Sequence, residues 1–249
     1  MIRVTIWNEN LHDKEDFVKS VYPLGIHGTI AAYLEKDEEF QVHVATLEQE
    51  ECGLSDEVLN NTDVLFWWGH MAHDRVPDEI ARKVADRVLL GMGLIVLHSG
   101  HYSKVFRLLM GTTCSLRWRD NSFERIWTTN PGHPIAAGIP ACFELECEEM
   151  YGEYFDIPRP DDVVFTGWFD SGEVFRSGCC WYRGAGKVFY FQPGHESNPS
   201  YHNTYVLQIL SNAAKWAKPV QVRKTLGCFH TEESTNEVRA KGGDIDQWK

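Results

Sequence analysis

The stretch GMGLIVLHSGHYSKVFRLLMG, residues 91–111, decides the class of fold. Its apolar segment GLIVL, residues 93–97, has the composition of a strand that is buried on both faces. The small polar segment LHSGH, residues 97–101, then turns the chain, and residues 102–111 have the apolar spacing of a short helix. A strand that passes through a tight turn into a helix is a building unit of α/β proteins, and many α/β enzymes carry a nucleophile at such a turn.

The segments before this stretch repeat the alternation of strand and helix. Apolar or alternating runs predict strands at residues 2–7, 40–46 and 62–69, and amphipathic patterns predict helices at 25–36 and 76–91. The second of these helices starts with a proline and two acidic residues, which suit the positive end of a helix dipole. This alternation predicts an α/β fold with a doubly wound, mostly parallel sheet.

The second half of the chain has a different pattern. Strand-like segments separated by turns predict an additional antiparallel region, and residues 200–217 predict a closing helix. These strand-like segments are SLRWRD (115–120), DVVFTGWF (162–169), GEVFRSGCCWYRG (172–184) and GKVFYFQ (186–192). We therefore predict one α/β domain over residues 1–218 and a polar C-terminal tail, 219–249, that is disordered or docked on a partner subunit.

Composition excludes several classes of function. The chain has 249 residues, 43% of them hydrophobic, and a net charge of −12 without any Lys/Arg-rich run. We therefore expect no nucleic-acid partner and no membrane association. Seven cysteines without a CxxC pair argue against a zinc ribbon. The start MIRVTIWNEN lacks the features of a signal peptide, so we expect a cytoplasmic protein, and its aromatic content favours a homo-oligomer.

Histidines cluster where the predicted strands end. In an open α/β sheet, ligands bind beyond the carboxyl ends of the strands, so side chains that follow those ends should meet at one edge. The residues expected at this edge are His27, His70, His73, His98, Ser99, His101, His195 and Glu196. The convergence of several histidines predicts a functional site there.

Two kinds of chemistry suit such a group. His27, His70 and His195 could hold a divalent metal such as zinc, although their spacing matches no known motif. Alternatively, His195 could act as a general base with Glu196 beside it. Ser99 could be a nucleophile activated by His195, although the elbow motif GxSxG is not matched.

The acidic segment ELECEEMYGEYFDIP, residues 144–158, also has two interpretations. It could be an exposed acidic loop, or a platform on which Glu149 hydrogen-bonds sugar hydroxyls and Tyr151 stacks on a sugar ring. Trp68 and Trp127 are candidate linings of the same cleft.

The sequence as a whole resembles the trehalose-utilisation (ThuA) family over most of residues 2–218. The segments that carry the resemblance are VYPLGIHGTIAAYL, DVLFWWGHMAHD, GLIVLHSGHYSK, NPGHPIAAGIP, EEMYGEYFDIP, EVFRSGCCWYRGAGKVFYFQPGHE and YHNTYVLQILSNAAKWA. The resemblance implies a flavodoxin-like fold similar to class I glutamine amidotransferase domains. Those domains carry a cysteine nucleophile in the turn, whereas this chain has His98, Ser99 and Gly100, so glutaminase chemistry is not expected.

The resemblance further implies a role in the catabolism of trehalose and related disaccharides. We expect an enzyme that isomerises or hydrolyses a sugar or keto-sugar, or that cleaves its glycosidic bond by elimination. The catalytic candidates are His98, Ser99, His195 and Glu196, and the substrate-binding candidates are Trp68, His70, His101, Glu149 and Tyr151. A non-catalytic sugar-binding or interaction module and a Ser-dependent hydrolase remain as alternatives.

Overall fold

The computed structural model describes residues 1–228 and 233–242, and a single nine-stranded sheet organises them. Its strands are β1 (Ile2–Asn8), β2 (Phe40–Thr46), β3 (Val64–Trp68), β4 (Gly93–Leu97), β5 (Arg117–Thr128), β6 (Cys142–Gly152), β7 (Asp162–Phe169), β8 (Val174–Arg183) and β9 (Gly186–Phe191).

Seven α-helices lie in the described ranges. They are α1 (Asp16–Val21), α2 (Gly25–Leu34), α3 (Asp56–Asn60), α4 (Asp78–Leu90), α5 (Lys104–Met110), α6 (Thr204–Ala217) and α7 (Thr235–Ala240). Polar side chains define where some of them begin. The Ser103 hydroxyl accepts a hydrogen bond from the backbone N–H of Phe106 at the start of α5, and the Asn203 side chain caps α6 in the same way.

The sheet has a parallel half and an antiparallel half, as the sequence predicted. Its strand order is β2-β1-β3-β4-β9-β8-β7-β5-β6. Strands β2, β1, β3, β4 and β9 are parallel, and this order is one of the common orders of doubly wound sheets. Strands β8, β7, β5 and β6 then continue the sheet with antiparallel pairing.

Strand β6 corrects the interpretation of residues 144–158 as a loop. Its first residues alternate, so that Phe143 and Leu145 point into the core while Glu144 and Glu146 are exposed. This period-two pattern is typical of a strand with one buried face, and β6 pairs with β5 at the edge of the sheet. Acidic residues on the solvent face of an edge strand also discourage pairing with another chain.

Helices cover both faces of the sheet. On one face, α2 and α6 bury apolar side chains such as Ile30 and Leu210, and on the other α4 and α5 bury Val84 and Phe106. Each fully buried side chain of this size contributes about 1.5–3 kcal/mol relative to exposure. Because these strands run parallel, the turns after β1, β3, β4 and β9 all open at one edge of the sheet.

Part of the predicted tail is ordered against the domain. The backbone N–H of Arg223 donates to the carbonyl of Leu90, the last residue of α4, at 2.8 Å. Further along, Ser234 and Glu237 form a reciprocal capping box at the start of α7. Residues 229–232 and 243–249 of the predicted tail lie outside the described residues.

No helix in the described ranges has both the length and the apolar character needed to cross a membrane.

Candidate functional site

The turn after β4 brings a strained residue into the centre of the molecule. His98 directly follows the strand and has a backbone φ of 49°, in the left-handed region that side chains other than glycine rarely adopt. Its side chain is completely buried. Gly100 lets the turn approach β3, because a Cβ there would lie 3.0 Å from the carbonyl oxygen of Trp67. The strained position of the turn is therefore His98, not Ser99.

Ser99 has a structural partner instead of a base. Its hydroxyl donates to the carbonyl of Gly69 at 2.9 Å, which ties the turn to the loop after β3. Within the described part of the chain, no histidine nitrogen hydrogen-bonds this hydroxyl. The structure therefore shows no hydrogen bond between Ser99 and His195, the nucleophile and base of the predicted hydrolase, although both side chains line the cavity described below.

His98 and Glu149 form a buried ion pair. Nδ1 of His98 lies 2.8 Å from the carbonyl oxygen of Gln192, and Nε2 lies 3.0 Å from Oε2 of Glu149. A carbonyl and a carboxylate only accept hydrogen bonds, so both ring nitrogens must carry a proton. Burial opposes the charge on His98, but the hydrogen bond and charge of Glu149 outweigh it and raise the pKa of His98. Burial likewise opposes the charge on Glu149, yet His98 lowers the pKa of that carboxyl to about 2.

Tyr151 completes this buried group. Its ring stacks on the His98 imidazole with the ring centroids 5.0 Å apart and the planes 15° from parallel. A ring face carries partial negative charge, so the stack favours the charged imidazolium. Glu149 and Tyr151 both line the cavity described below, where the sequence predicted substrate-binding residues.

His101 is held as a neutral imidazole. Its Nδ1 lies 2.7 Å from the carbonyl of Cys114, so Nδ1 donates and Nε2 keeps a lone pair. Burial lowers the pKa of His101 to about 3. No group in the described ranges hydrogen-bonds Nε2, which leaves this nitrogen able to accept a hydrogen bond from a ligand.

Glu196 is surrounded by three imidazoles without a hydrogen bond to any of them. Its carboxylate oxygens lie 3.7 Å from Nδ1 of His12, 3.7 Å from Nδ1 of His70 and 3.6 Å from Nε2 of His195. Among the residues described, Glu196 Oε2 and His12 Nδ1 are buried and have no hydrogen-bond partner. Burial lowers the pKa of His70 to about 4, so this ring is neutral at pH 7.

His12 was missed by the sequence analysis. It lies in WNENLHD, four residues beyond the end of β1, and so belongs to the same carboxyl edge as the other histidines. Its Nε2 lies 2.8 Å from Nδ1 of His70. The signal was present in the sequence, but a histidine four residues past a strand has no spacing that distinguishes it from a solvated loop residue.

His27 does not join the predicted metal set with His70 and His195. Its Nδ1 accepts a hydrogen bond from the side-chain amide of Asn8 at 2.8 Å and lies 3.7 Å from Asp13. Neither group of closely spaced donor atoms in the described ranges includes His27. The donors that come together are His12, His70 and Glu196, and separately His70, Glu149 and His195.

The two tryptophans expected to line the cleft are elsewhere. Trp68 is buried in β3, where its indole N–H donates to the carbonyl of Gly194 at 3.0 Å. Trp127 is 44% exposed on β5 and does not line the cavity. An uninterrupted apolar strand hides its aromatic residues between the covering helices, which explains the error for Trp68.

Glu148, the neighbour of Glu149 on β6, positions the loop that carries His195. Its carboxylate is fully buried and accepts hydrogen bonds from the backbone N–H groups of Gly194 and His195 at 3.0 and 3.2 Å. The Ser200 hydroxyl also donates to it. Successive residues of β6 thus serve two purposes, because Glu148 holds the loop and Glu149 faces His98.

A cavity of about 600 Å³ opens over these residues at the carboxyl edge of the parallel strands. Its volume is in the range of small-molecule sites. The side chains that line it include His70, His73, Ser99, His101, Tyr102, Trp118, Asp120, Glu149, Tyr151 and His195. Sequence reasoning missed Tyr102 and Trp118, which are partly exposed at this cavity.

This combination defines a class of protein: a doubly wound α/β protein with a histidine–carboxylate site beyond the ends of its parallel strands. The particular family follows from comparison with known sequences. A family model described as "ThuA: Trehalose utilisation" matches residues 3–217, so the chain belongs to the ThuA family. No curated protein sequence matches the chain.

Solved structures show the same fold at low sequence identity. A ThuA-like protein from Parabacteroides merdae is 16% identical with a TM-score of 0.67, and 94% of this chain and 96% of that chain are covered. A ThuA-like protein from Bacteroides uniformis is 14% identical with a TM-score of 0.61, with coverages of 86% and 90%. A cytoplasmic protein from Salmonella typhimurium is 11% identical with a TM-score of 0.59, with coverages of 88% and 100%.

Proposed function

We propose that this protein is an enzyme of carbohydrate catabolism that acts on a disaccharide or keto-sugar derivative by proton transfer. The observation that carries the proposal is the cavity, because its lining gathers an ionised carboxylate, two neutral imidazoles and His195. A site that only bound sugar would need few titratable groups. Membership of the trehalose-utilisation family supports a sugar substrate.

The protonation states assign a role to each group. His98 cannot be the base, because both its nitrogens donate to buried acceptors. His70 and His101, with pKa values of about 4 and 3, are weak bases at pH 7 and suit the recognition of hydroxyl groups. His195 and Glu196 remain as the pair that transfers the proton, with Nε2 of His195 3.6 Å from Oε1 of Glu196.

For a keto-sugar, the chemistry that fits is removal of the proton next to the ketone. Nδ1 of His195 accepts a hydrogen bond from the backbone N–H of Ser197 at 3.3 Å, so the neutral ring carries its proton at Nε2. From Nε2 it would donate a hydrogen bond to the ketone oxygen, while the Glu196 carboxylate beside it accepts the proton from the neighbouring carbon. The resulting enolate would lead either to isomerisation or to elimination of the glycosidic bond, in which the leaving sugar oxygen takes up the proton. Glu149 stays ionised at neutral pH and can accept hydrogen bonds from sugar hydroxyls, while Tyr102 and Trp118 provide aromatic surface for a second sugar ring.

The residues around Glu196 also fit a divalent metal such as zinc. A tetrahedral zinc with bonds of about 2.0–2.1 Å separates its ligand atoms by about 3.3 Å, close to the 3.7 Å between Glu196 and the nitrogens of His12 and His70. The unpartnered Glu196 Oε2 and His12 Nδ1 are atoms that a cation would satisfy. When bound, such an ion supplies Lewis acidity that polarises a carbonyl oxygen.

We further propose a flavodoxin-like scaffold, a cytoplasmic location and a homo-oligomer. The order of the parallel strands supports the scaffold. The description of the Salmonella neighbour as a cytoplasmic protein supports the location. Exposed aromatic residues outside the cavity, such as Trp127 and Trp168, support self-association.

Turnover of a 3-keto-disaccharide tests the enzymatic proposal. Incubation with the purified protein should consume the keto-sugar, and His195→Ala should reduce kcat by at least 100-fold, since proton transfer contributes about 10²–10⁴-fold to rate. His43→Ala, at an exposed site on β2, is the matched control and should keep full activity. Calorimetric binding without turnover across a panel of keto-sugars would instead support the sugar-binding module.

Zinc titration followed by calorimetry tests the metal independently of activity. One ion should bind per chain, and His12→Ala and Glu196→Ala should each weaken binding by at least tenfold while His27→Ala leaves it unchanged. Equal weakening by His27→Ala would restore the ligand set expected from the sequence. No saturable binding would remove the metal from the proposal.

A further inference from the structure

A second cavity of about 520 Å³ lies outside the histidine site and is lined by α4 and α5. We call it the arginine pocket, after the two arginines that face it. Its lining includes Arg82 from α4, Lys104, Arg107 and Leu108 from α5, and Tyr102 from the turn before α5. None of the roles assigned above uses this cavity.

The pocket contains positive charge that the protein itself does not neutralise. Lys104 is already paired, because its ammonium group donates to Asp78 at 2.6 Å and to the carbonyl of Val76 at 2.8 Å. In contrast, the side chains of Arg82 and Arg107 form no hydrogen bond or ion pair with any described residue. Two unpaired guanidinium groups in one cavity are notable in a chain with a net charge of −12.

Arg107 is also partly withdrawn from water. Its Nε is buried and has no acceptor among the described residues. A buried donor without an acceptor costs about 1–3 kcal/mol, which an incoming anion would recover. This cost distinguishes Arg107 from an ordinary exposed arginine, whose donors are all satisfied by water.

Part of the remaining wall of the pocket is apolar, and Asp78, Thr112 and Thr113 also line it. The Arg107 guanidinium lies over the Tyr102 ring, 4.7 Å from its centroid, and Leu108 is 49% exposed. Stacking on an aromatic ring orients a guanidinium and leaves its N–H edge available for bidentate hydrogen bonds. A ligand that filled the cavity would therefore combine an anionic group with a ring or other apolar portion.

We propose that the arginine pocket binds a small molecule that carries a phosphate ester on a ring. The two free guanidinium charges match a phosphate dianion, and the forked donors of arginine suit tetrahedral oxygens. Tyr102 and Leu108 then contact the ring. This proposal does not depend on the reaction carried out at the histidine site.

The pocket is connected to the histidine site through Tyr102, which lines both cavities. The Tyr102 ring is edge-on to the rings of His73 and His101. Its centroid lies 6.0 Å from the centroid of the His73 ring and 6.1 Å from that of the His101 ring. A ligand that packs against Tyr102 in the arginine pocket therefore limits the positions of this ring at the wall of the other cavity. A ligand in the arginine pocket can therefore change the shape of the histidine site through the position of Tyr102.

Isothermal titration calorimetry with inorganic phosphate and with phenyl phosphate tests the proposal on the full chain. Both probes should bind at one site, and phenyl phosphate should bind more tightly because its ring covers Tyr102 and Leu108. Arg82→Ala and Arg107→Ala should each weaken phenyl phosphate binding by at least tenfold. Arg159→Ala, at another exposed arginine, is the matched control and should stay within twofold of the unmodified protein.

Arg82 is exposed on α4, so Arg82→Ala keeps the test decisive even if Arg107→Ala lowers stability. Ring resonances of His73 and His101 should shift on titration with phenyl phosphate, whereas those of the distant His43 should not. Absence of saturable binding would overturn the proposal. Binding that Arg82→Ala leaves unchanged would also overturn it, since it would indicate an adventitious ion only.

Discussion

Two neighbouring regions of the site bury carboxylates against histidines and reach opposite electrostatic states. In the first, His98 and Glu149 are both charged, and each nitrogen of the imidazolium meets an acceptor within 3.0 Å. In the second, Glu196 has three imidazole nitrogens at 3.6–3.7 Å and hydrogen-bonds none of them.

The difference shows that the residue types alone do not set the charge of a buried site. The carbonyl of Gln192 supplies the first region with a second acceptor, which holds the proton on Nδ1 and leaves Nε2–H for Glu149. In the second region burial removes solvent from the ring of His70, and the ring donates no hydrogen bond to a carboxylate, so its pKa falls. Both ring nitrogens of His98 in the first region therefore have hydrogen-bond acceptors. In the second region, His12 Nδ1 and Glu196 Oε2 have no partner among the described residues and can bind a ligand.

Removal of Glu149 should produce the largest loss of stability. Glu149→Ala leaves a buried imidazolium without its counter-charge, and breaking a buried ion pair in this way costs about 3–5 kcal/mol. Urea denaturation measures the free energy of unfolding. Glu146→Ala, on the exposed face of the same strand, should change it by less than about 0.5 kcal/mol. Equal effects of the two substitutions would contradict the ion pair.

The pH dependence of stability should differ between the regions. His70 has a folded-state pKa of about 4, below its ordinary value of 6.5, so the unfolded chain takes up a proton first as the pH falls. Between pH 7 and pH 5, this earlier protonation of the unfolded chain lowers the free energy of unfolding by about 2 kcal/mol. His98 behaves oppositely, because its raised pKa gives stability below pH 6.5 that is lost as the pH rises through the folded-state value.

Denaturation of His70→Asn across pH 5–7 isolates the second region. The free energy of unfolding of this variant should fall less steeply with decreasing pH than that of the unmodified protein. The difference in slope should be about 1 kcal/mol per pH unit near pH 5. His43→Asn, at an exposed site, should keep the original slope. An unchanged slope in His70→Asn would mean that this imidazole is not held neutral.

Trp68→Phe tests whether the loop that carries His195 depends on β3. The substitution removes the hydrogen bond to the Gly194 carbonyl and leaves that buried oxygen unpaired, which should cost about 1–2 kcal/mol. Thermal denaturation measures the loss, and the exposed Trp127→Phe should have little effect. A sugar-binding defect in Trp68→Phe without any loss of stability would instead favour the cleft role expected from the sequence.

Ser99→Ala should have the smallest effect. It removes one hydrogen bond, to the Gly69 carbonyl, at a cost of about 1 kcal/mol, and should leave kcat on a keto-sugar within threefold of the original. The exposed Ser20→Ala is the control for stability. A loss of activity of 100-fold or more, or labelling of Ser99 by a fluorophosphonate, would show that this serine is a nucleophile.

Much of the fold could be predicted because its signals are local. The continuous apolar run of β3 and the amphipathic pattern of α4 indicate their own structures and, by alternation, a parallel sheet. The edge strand β6 was missed because its acidic residues, Glu144 and Glu146 on one face and the buried Glu148 and Glu149 beyond them, are typical of a loop. The burial of these last two depends on partners from distant segments.

The sequence by itself determined that histidines would gather at the carboxyl edge of the sheet, because parallel strands all end there and the residues that follow them have no other place to lie. Only the tertiary structure decided which histidine is charged, which are neutral, and that His12 replaces His27 beside His70. The physical reason is that the protonation of a buried imidazole depends on the acceptor facing each nitrogen. For His98 that acceptor belongs to Gln192, 94 residues further along the chain.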